Sequence, residues 1–469
     1  MNSPQLDIYF MAIGGTGMAP LACLLQEQGH RVRGTDGPLY PPMSTLLERA
    51  GIHPQVGYDP AHFETRPDLV IVGNAIHRNN PEAVEAERLG LPVLSMPQAL
   101  ARFFLSRHRS LVVSGTHGKT TTTAMAAWVY TACGADPGYL IGGAPQDLPA
   151  SFHDGAGQRF VIEGDEYNAA YFDRGPKFLH YQPDTLILTS VEYDHADLYA
   201  SPEVLWDAYS QLLRLLPESG LLVACGDDPK VRELAAQAPC RVLFYGLDPS
   251  NELYPEGEIE ACSEGSRFRV QDAEVGEIEI LLPMAGAHNV SNCLAVWAAA
   301  RHDGLSAADV VSALARFHGV KRRLEELGTV RGITVVDDFA HHPTAVDKTL
   351  VALRQRYPNR RLVVLFEPRS LTAGRHFFYE PYRDAFAKAD RVLLAPIFHE
   401  GRLSPEERLD FHALAEEISA AGVPATVGAD TADLLRIALE EAREGDVLVT
   451  MSSGSFDGMP YRLYEGLPK

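Results

Sequence analysis

The apolar positions of this chain fall into short, β-branched runs, and most runs stop at a glycine-rich or acidic turn that leads into helical spacing. Residues 6–13 (LDIYFMAI) read as a strand. The turn Gly14-Gly15-Thr16-Gly17-Met18 follows, then a helix over 21–28 and a second strand ending at Thr35-Asp36. The pattern repeats with a strand at 68–72 ending in Gly73-Asn74-Ala75, a helix at 81–89 and a strand at 92–94. Further strands are predicted at 111–113, 160–162, 185–191, 267–270, 277–282, 333–336, 361–366, 391–394 and 446–451, and helical stretches at 124–129 and 286–302. Such alternation predicts an α/β chain. We expect three domains: a Rossmann-like one at 1–107, a phosphate-loop ATPase-like, mostly parallel sheet at 108–320, and a second Rossmann-like one at 321–469.

At 469 residues the chain exceeds what one core supports, and its 46% of hydrophobic residues suffices for several. The formal charge of −21 argues against a surface for nucleic acid or anionic membrane, and it leaves anion recognition to local Lys and Arg. No run approaches a membrane span, the first residues lack a basic, apolar leader, and the six cysteines form no C-x-x-C pair. These features predict a cytoplasmic protein with reduced thiols.

The most specific chemistry lies in Ser114-Gly115-Thr116-His117-Gly118-Lys119-Thr120-Thr121, between a strand and a helix. Glycines let backbone N–H groups approach phosphate oxygens at the positive end of a helix, Lys119 reaches the terminal phosphates, and the Thr120 hydroxyl suits Mg²⁺. The spacing G-x-x-G-K-T is shorter than the usual G-x-x-x-x-G-K-[ST], and a Thr-rich helix start with one solvated lysine is the plainer alternative.

Two more strands end in acid, at Glu163-Gly164-Asp165-Glu166 and at Glu192-Tyr193-Asp194-His195-Ala196-Asp197. Ligands collect at the carboxyl ends of parallel strands, so Glu163 and His195 are candidate metal partners, with Asp165, Glu166 and Asp194 as neighbours. Solvated acidic turns are the alternative.

The Gly14–Met18 turn, with Asp36 after the second strand, fits a pyrophosphate site, although Pro20 occupies the third glycine position of the dinucleotide fingerprint. A plain tight turn also accounts for it. Asn289 and Asn292 share one helical face, suited to a base or ribose, with helix capping by Asn289 as the alternative. Pro343 is placed to open a helix behind His341 and His342, which are otherwise turn residues.

Together these motifs resemble the Mur ligase family, the ATP-dependent amide-forming enzymes of peptidoglycan synthesis, over essentially the whole chain. The resemblance is carried by G-T-H-G-K-T-T-T at 115–122, His288-Asn289-x-x-Asn292, Arg322-Arg323 and Asp337-Asp338-x-x-His341-His342-Pro343-Thr344. It implies that Gly115, Thr116, His117, Gly118, Lys119, Thr120 and Thr121 hold ATP, that Thr120 and Glu163 bind one Mg²⁺, and that His195 contacts a second. Asn289 and Asn292 are then expected near adenine or ribose, and Arg323 and Asp338 close over ATP. Gly14, Gly15, Thr16, Gly17 and Met18, with Asp36, Asn74 and Ala75, are expected to hold a UDP-sugar.

Within the family, residues 40–48 (YPPMSTLLE), Gly73-Asn74-Ala75 and Glu367-Pro368-Arg369-Ser370 look most like members of peptidoglycan recycling. Those join UDP-N-acetylmuramate to L-alanyl-γ-D-glutamyl-meso-diaminopimelate. Members that add L-alanine alone are the alternative. A non-ligating ATPase or nucleotide-sugar binder is opposed by the joint presence of Lys119, Glu163, His195, Arg323 and Asp338. A folate-type polyglutamate ligase is opposed by the unit at 14–36.

The implied chemistry activates a carboxylate as an acyl phosphate, which the acceptor amine then attacks. His341 or His342, near Asp338, is the candidate base, and Arg369 and Ser370 are expected at the acceptor, Arg369 by bidentate pairing with a peptide carboxylate. Two positions depart from the family pattern. Ser210 stands where some members carry a carbamylated lysine, with no lysine between His195 and Lys230, and Ser455 stands where a glycine is expected.

Overall fold

Strands apolar on both faces set the architecture, because a strand without alternation must be covered from both sides. Leu69–Val72, Thr185–Leu188, Leu221–Cys225, Leu362–Phe366 and Val447–Met451 are buried at every position. In the computed structural model, which describes residues 4–467, such strands form the centres of three α/β sheets. Among the described residues no helix is long and apolar enough to cross a membrane.

The first sheet runs Gln55–Val56, Arg31–Asp36, Asp7–Met11, Leu69–Val72, Val93–Ser95, all parallel. The chain winds outward in both directions from Asp7–Met11. The crevice at its carboxyl end therefore receives the glycine turn and the start of the helix Met18–Glu27.

The second sheet runs Arg241–Tyr245, Leu221–Cys225, Thr185–Leu188, Arg109–Ser114, Arg159–Gly164, Gly138–Leu140, Phe152–His153, parallel except for the last pair. The antiparallel meander Glu256–Cys262, Gly265–Asp272, Gly276–Leu282 follows. The third sheet runs Glu325–Val330, Ile333–Asp338, Val447–Met451, Leu362–Phe366, Arg391–Leu394, Ala425–Val427, and only its first pair is antiparallel. Phe366, Tyr382, Phe386 and Phe411 fill one face of it and Leu365, Leu393, Leu434 and Met459 the other.

By compactness the chain divides into two units: Met1–Val191, Trp206–Tyr245 and Ala295–Val310 in one, Glu192–Leu205, Gly246–Leu294 and Val311–Lys469 in the other. The first holds the two leading sheets. The second holds the meander and the third sheet. Residues 192–205 sit with the third sheet through their own contacts: Ala196 N donates to Thr372 Oγ1, Thr344 Oγ1 donates to Glu192 Oε2, and the Tyr193 ring packs on Phe377.

Candidate active site

In the first unit, register places three strand ends side by side. Val113 lies opposite Glu163 on one side and Ile187 on the other. The loop that leaves Arg109–Ser114 is bracketed by the residues that follow Thr185–Leu188. Thr116 N donates to Ser190 O, His117 N to Ser190 Oγ, and Thr189 Oγ1 to His117 O. Gly115 has φ +128°, and a Cβ there would lie 2.3 Å from Thr189 Oγ1, so only glycine fits. The helix Lys119–Ala132 begins directly after Gly118 with no acid in its first turn, leaving its positive end for an anion.

The two residues that open this helix are each held by an acid from the neighbouring strand end. Lys119 Nζ donates to both carboxylate oxygens of Glu166, at 2.9 and 2.8 Å, and to Gly115 O at 2.6 Å. Thr120 Oγ1 donates to Glu163 Oε2 at 3.1 Å, while Glu163 Oε1 accepts from Gly142 N. Burial pulls the Lys119 pKa down. The Glu166 carboxylate, helped by Asp165 and Glu163, more than offsets this, so the net shift is upward and the ammonium stays charged. Asp165 turns away to pair with Lys177. Thr121 is buried in the first turn of the helix.

At the carboxyl end of the first sheet Asp36 organises the glycine turn, accepting from Gly14 N at 2.6 Å and Gly37 N at 2.7 Å. Gly15 and Thr16 are exposed, Gly17 caps the helix that Met18 begins, and Asn74 and Ala75 are exposed at the end of the adjacent strand. These residues share one end of one sheet.

In the second unit, Asp338 is buried with both oxygens in use: Oδ2 accepts from Leu324 N, and Oδ1 from Ala340 N and Thr349 Oγ1. Burial raises its pKa, and Arg323 and these donors oppose the rise. Asp338 thus ties the Arg322-Arg323 elbow to the end of Ile333–Asp338. The Arg323 guanidinium lies 4.6 Å from the Phe339 ring centroid. His342 is the N-cap of Pro343–Arg356, its Nδ1 accepting from Thr344 N, whereas His341 is partly exposed and accepts Tyr382 Oη on its carbonyl.

His195 has φ +56° and lies in this second unit. Its Nε2 is 3.8 Å from Asp194 Oδ2. Burial pushes the Asp194 carboxyl up, but His195, His341 and His342 outweigh it and hold it well below the ordinary carboxylate range.

Asn289 lies in the first turn of Ala287–His302 with its side chain donating to Ala285 O, and Asn292 donates to Asn289 Oδ1. The Asn289 side chain therefore does not act as a helix cap. Arg369 pairs with Glu367 at 3.4 Å, and its guanidinium stacks 3.4 Å from the Phe398 ring centroid. Ser370 Oγ accepts from Ala373 N, and Ser210 Oγ is spent on Trp206 O within its own helix.

Thr189, Ser190, Gly142 and Phe398 are neighbours that sequence reasoning did not assign, and Glu166, expected as a neighbour of the metal partners, instead pairs with Lys119. The first four carried no signal, while Glu166 stood out as the third acid of a strand-end cluster.

Three family descriptions match the chain in order: Mur ligase family, catalytic domain, over residues 7–108, Mur ligase middle domain over 113–300, and Mur ligase, glutamate ligase domain, over 322–454. The chain belongs to the Mur ligase family. It is accordingly an ATP-dependent, amide-forming ligase. Among Mur ligases it is 39% identical to the UDP-N-acetylmuramate--L-alanyl-gamma-D-glutamyl-meso-2,6-diaminoheptandioate ligase of Escherichia coli (strain K12), over 99% of each chain. It is 34% identical to the UDP-N-acetylmuramate--L-alanine ligase of Oleidesulfovibrio alaskensis, over 96% of each. Of solved Mur ligases, the murein peptide ligase of Psychrobacter arcticus matches with a TM-score of 0.73 at 34% identity, over 98% of each chain. The UDP-N-acetylmuramate-alanine ligase of Thermotoga maritima matches with 0.80 at 25%, over 98% of this chain and 99% of that one.

Proposed function

We propose that this chain joins the lactyl carboxylate of UDP-N-acetylmuramate to the amine of L-alanyl-γ-D-glutamyl-meso-diaminopimelate, at the expense of ATP, in peptidoglycan recycling in the cytoplasm. The observation that carries the reading is full-length identity to relatives named for that tripeptide, 39% and 36%, against 34% for one named for L-alanine. The fold overlay orders the two acceptors the other way, 0.73 against 0.80. An overlay of backbones does not read acceptor side chains, so the identity decides.

A carboxylate expels oxide poorly, so it must first become a mixed anhydride. Lys119 holds the γ-phosphate of ATP while the carboxylate attacks in line, and the products are an acyl phosphate and ADP. Thr120 Oγ1 and Glu163 Oε2, hard oxygen donors 3.1 Å apart, fit a Mg²⁺ ion, and His195 is the proposed partner of a second. When bound, the metal neutralises charge on the transferred phosphoryl group.

The acceptor amine must lose a proton before it attacks the acyl carbon and phosphate departs. His342 accepts at Nδ1, so its neutral ring carries the proton on Nε2, whereas His341 donates from Nδ1 to Phe339 O and keeps the lone pair on Nε2; His341 is therefore the better placed base. Arg323 and Asn289-Asn292 are assigned to the nucleotide, the Gly14–Met18 turn with Asn74 and Ala75 to the UDP-sugar, and Arg369 with Ser370 to the acceptor. Asp338, with its oxygens occupied, positions the elbow.

Release of phosphate from Mg-ATP and UDP-N-acetylmuramate tests this reading. Stimulation by the tripeptide and not by L-alanine is expected. Stimulation by L-alanine alone moves the chain to the biosynthetic reaction, and turnover indifferent to any amine makes it an ATPase.

A further inference from the structure

The sequence shows Glu166 only as one acid of a strand-end cluster, yet both its carboxylate oxygens accept from Lys119, the lysine assigned to phosphate. Glu166 lies two residues beyond the strand Arg159–Gly164, its side chain is 3% exposed, and both carboxylate oxygens face Lys119 Nζ within 2.9 Å. Gly115 O takes a further ammonium bond at 2.6 Å. An ammonium has three hydrogens, so Lys119 reaches a phosphate only by exchanging one of these bonds. The Gly115 carbonyl belongs to a loop clamped by Thr189 and Ser190. Glu166 is the partner that a phosphate can replace, since both are anions competing for one cation in a site where little water screens them.

We propose that Glu166 is a positioning residue and the exchange partner of Lys119. It holds the buried ammonium along the loop, and it competes with nucleotide phosphates for that ammonium. By this competition it speeds the departure of ADP. The inference rests on the assignment of Lys119 to the ATP phosphates. Glutamine at 166 would keep the shape and lose the competition, so a nucleotide would hold the lysine alone.

The test is calorimetric binding of ADP with Mg²⁺, together with stopped-flow release of ADP and steady-state kinetics. Glu166→Gln should bind ADP about tenfold tighter and release it correspondingly slower. Its kcat should fall together with its KM for ATP. Glu166→Asp, which retains the charge at a longer reach, should fall between, and it serves as the reporter if the glutamine variant does not fold.

In a Lys119→Met background the Glu166→Gln change should leave ADP affinity where it is, because the effect runs through the lysine. Unchanged or weaker ADP binding by folded Glu166→Gln overturns the inference, as does the same tightening in the Lys119→Met background. Failure of the unmodified chain to bind ADP at all would instead overturn the assignment of Lys119 itself.

Discussion

A buried lysine kept charged by a carboxylate is a costly arrangement, and its use is legible in what the cation faces. Lys119 Nζ faces the Gly115 and Thr116 carbonyls and the Glu166 carboxylate at a helix start, so Lys119→Ala should lower kcat by ~10²-fold or more in the acceptor-dependent assay. Retention of most activity by the folded variant would remove it from phosphoryl transfer. Neighbouring histidines should separate in the same way. His341→Ala should lower kcat by about 10²-fold while leaving the urea midpoint near that of the unmodified chain. His342→Ala loses a helix cap and an edge contact to Phe378, and should cost about 1 kcal/mol of stability. The reverse pattern would exchange their roles.

Among elements, the loop that opens the helix Lys119–Ala132 is closely confined at Gly115. A methyl group at Gly115 meets Thr189 Oγ1 and the Ser190 backbone, and φ +128° disfavours any other residue. Gly115→Ala should therefore cost about 1–3 kcal/mol and abolish ADP binding, measured by denaturation and calorimetry. The helix Ala287–His302 carries a pH signature. Burial, with Lys348 adding to it, lowers the His288 pKa from 6.5 to about 4. A lowered histidine pKa means that the unfolded chain binds the proton more readily, so this contribution to stability is full above about pH 6.5 and is lost as pH falls through about 4. His288→Gln should flatten the fall in urea midpoint between pH 7 and pH 4, and an unchanged slope would contradict the assignment.

How much of this was legible follows from the same elements. Aliphatic runs ending in glycine or acid, such as 68–72, 111–113 and 391–394, became buried parallel strands, because such runs fit little else. Gln55–Val56, Gly138–Leu140 and Asn168–Ala170 escaped notice, since two or three residues are too few for a period to show; the first two pair with strands distant in sequence, the third with Asp173–Pro176 in a short hairpin. The bracket of Thr189 and Ser190 around the loop and the grip of Glu166 on Lys119 join residues 47 to 75 positions apart, and the order of strands pairs residues as distant as Thr334 and Val447. Local pattern carries no such information. The strand-end acids were visible as a cluster, but which acid took the lysine and which the threonine was set by register, Val113 against Glu163.

For the whole molecule, a charge of −21 and three α/β sheets in sequence place anion recognition at strand ends and helix starts rather than over the surface. That organisation suits a reaction whose donor, activator and acceptor are all anions, held at separate local sites. Its central claim is the identity of the acceptor. The most direct measurement is a competition in one vessel: Mg-ATP, UDP-N-acetylmuramate and equal concentrations of L-alanine and L-alanyl-γ-D-glutamyl-meso-diaminopimelate, with the product identified by mass. The account predicts UDP-N-acetylmuramoyl-tripeptide as the dominant product. UDP-N-acetylmuramoyl-L-alanine as the dominant product would contradict it.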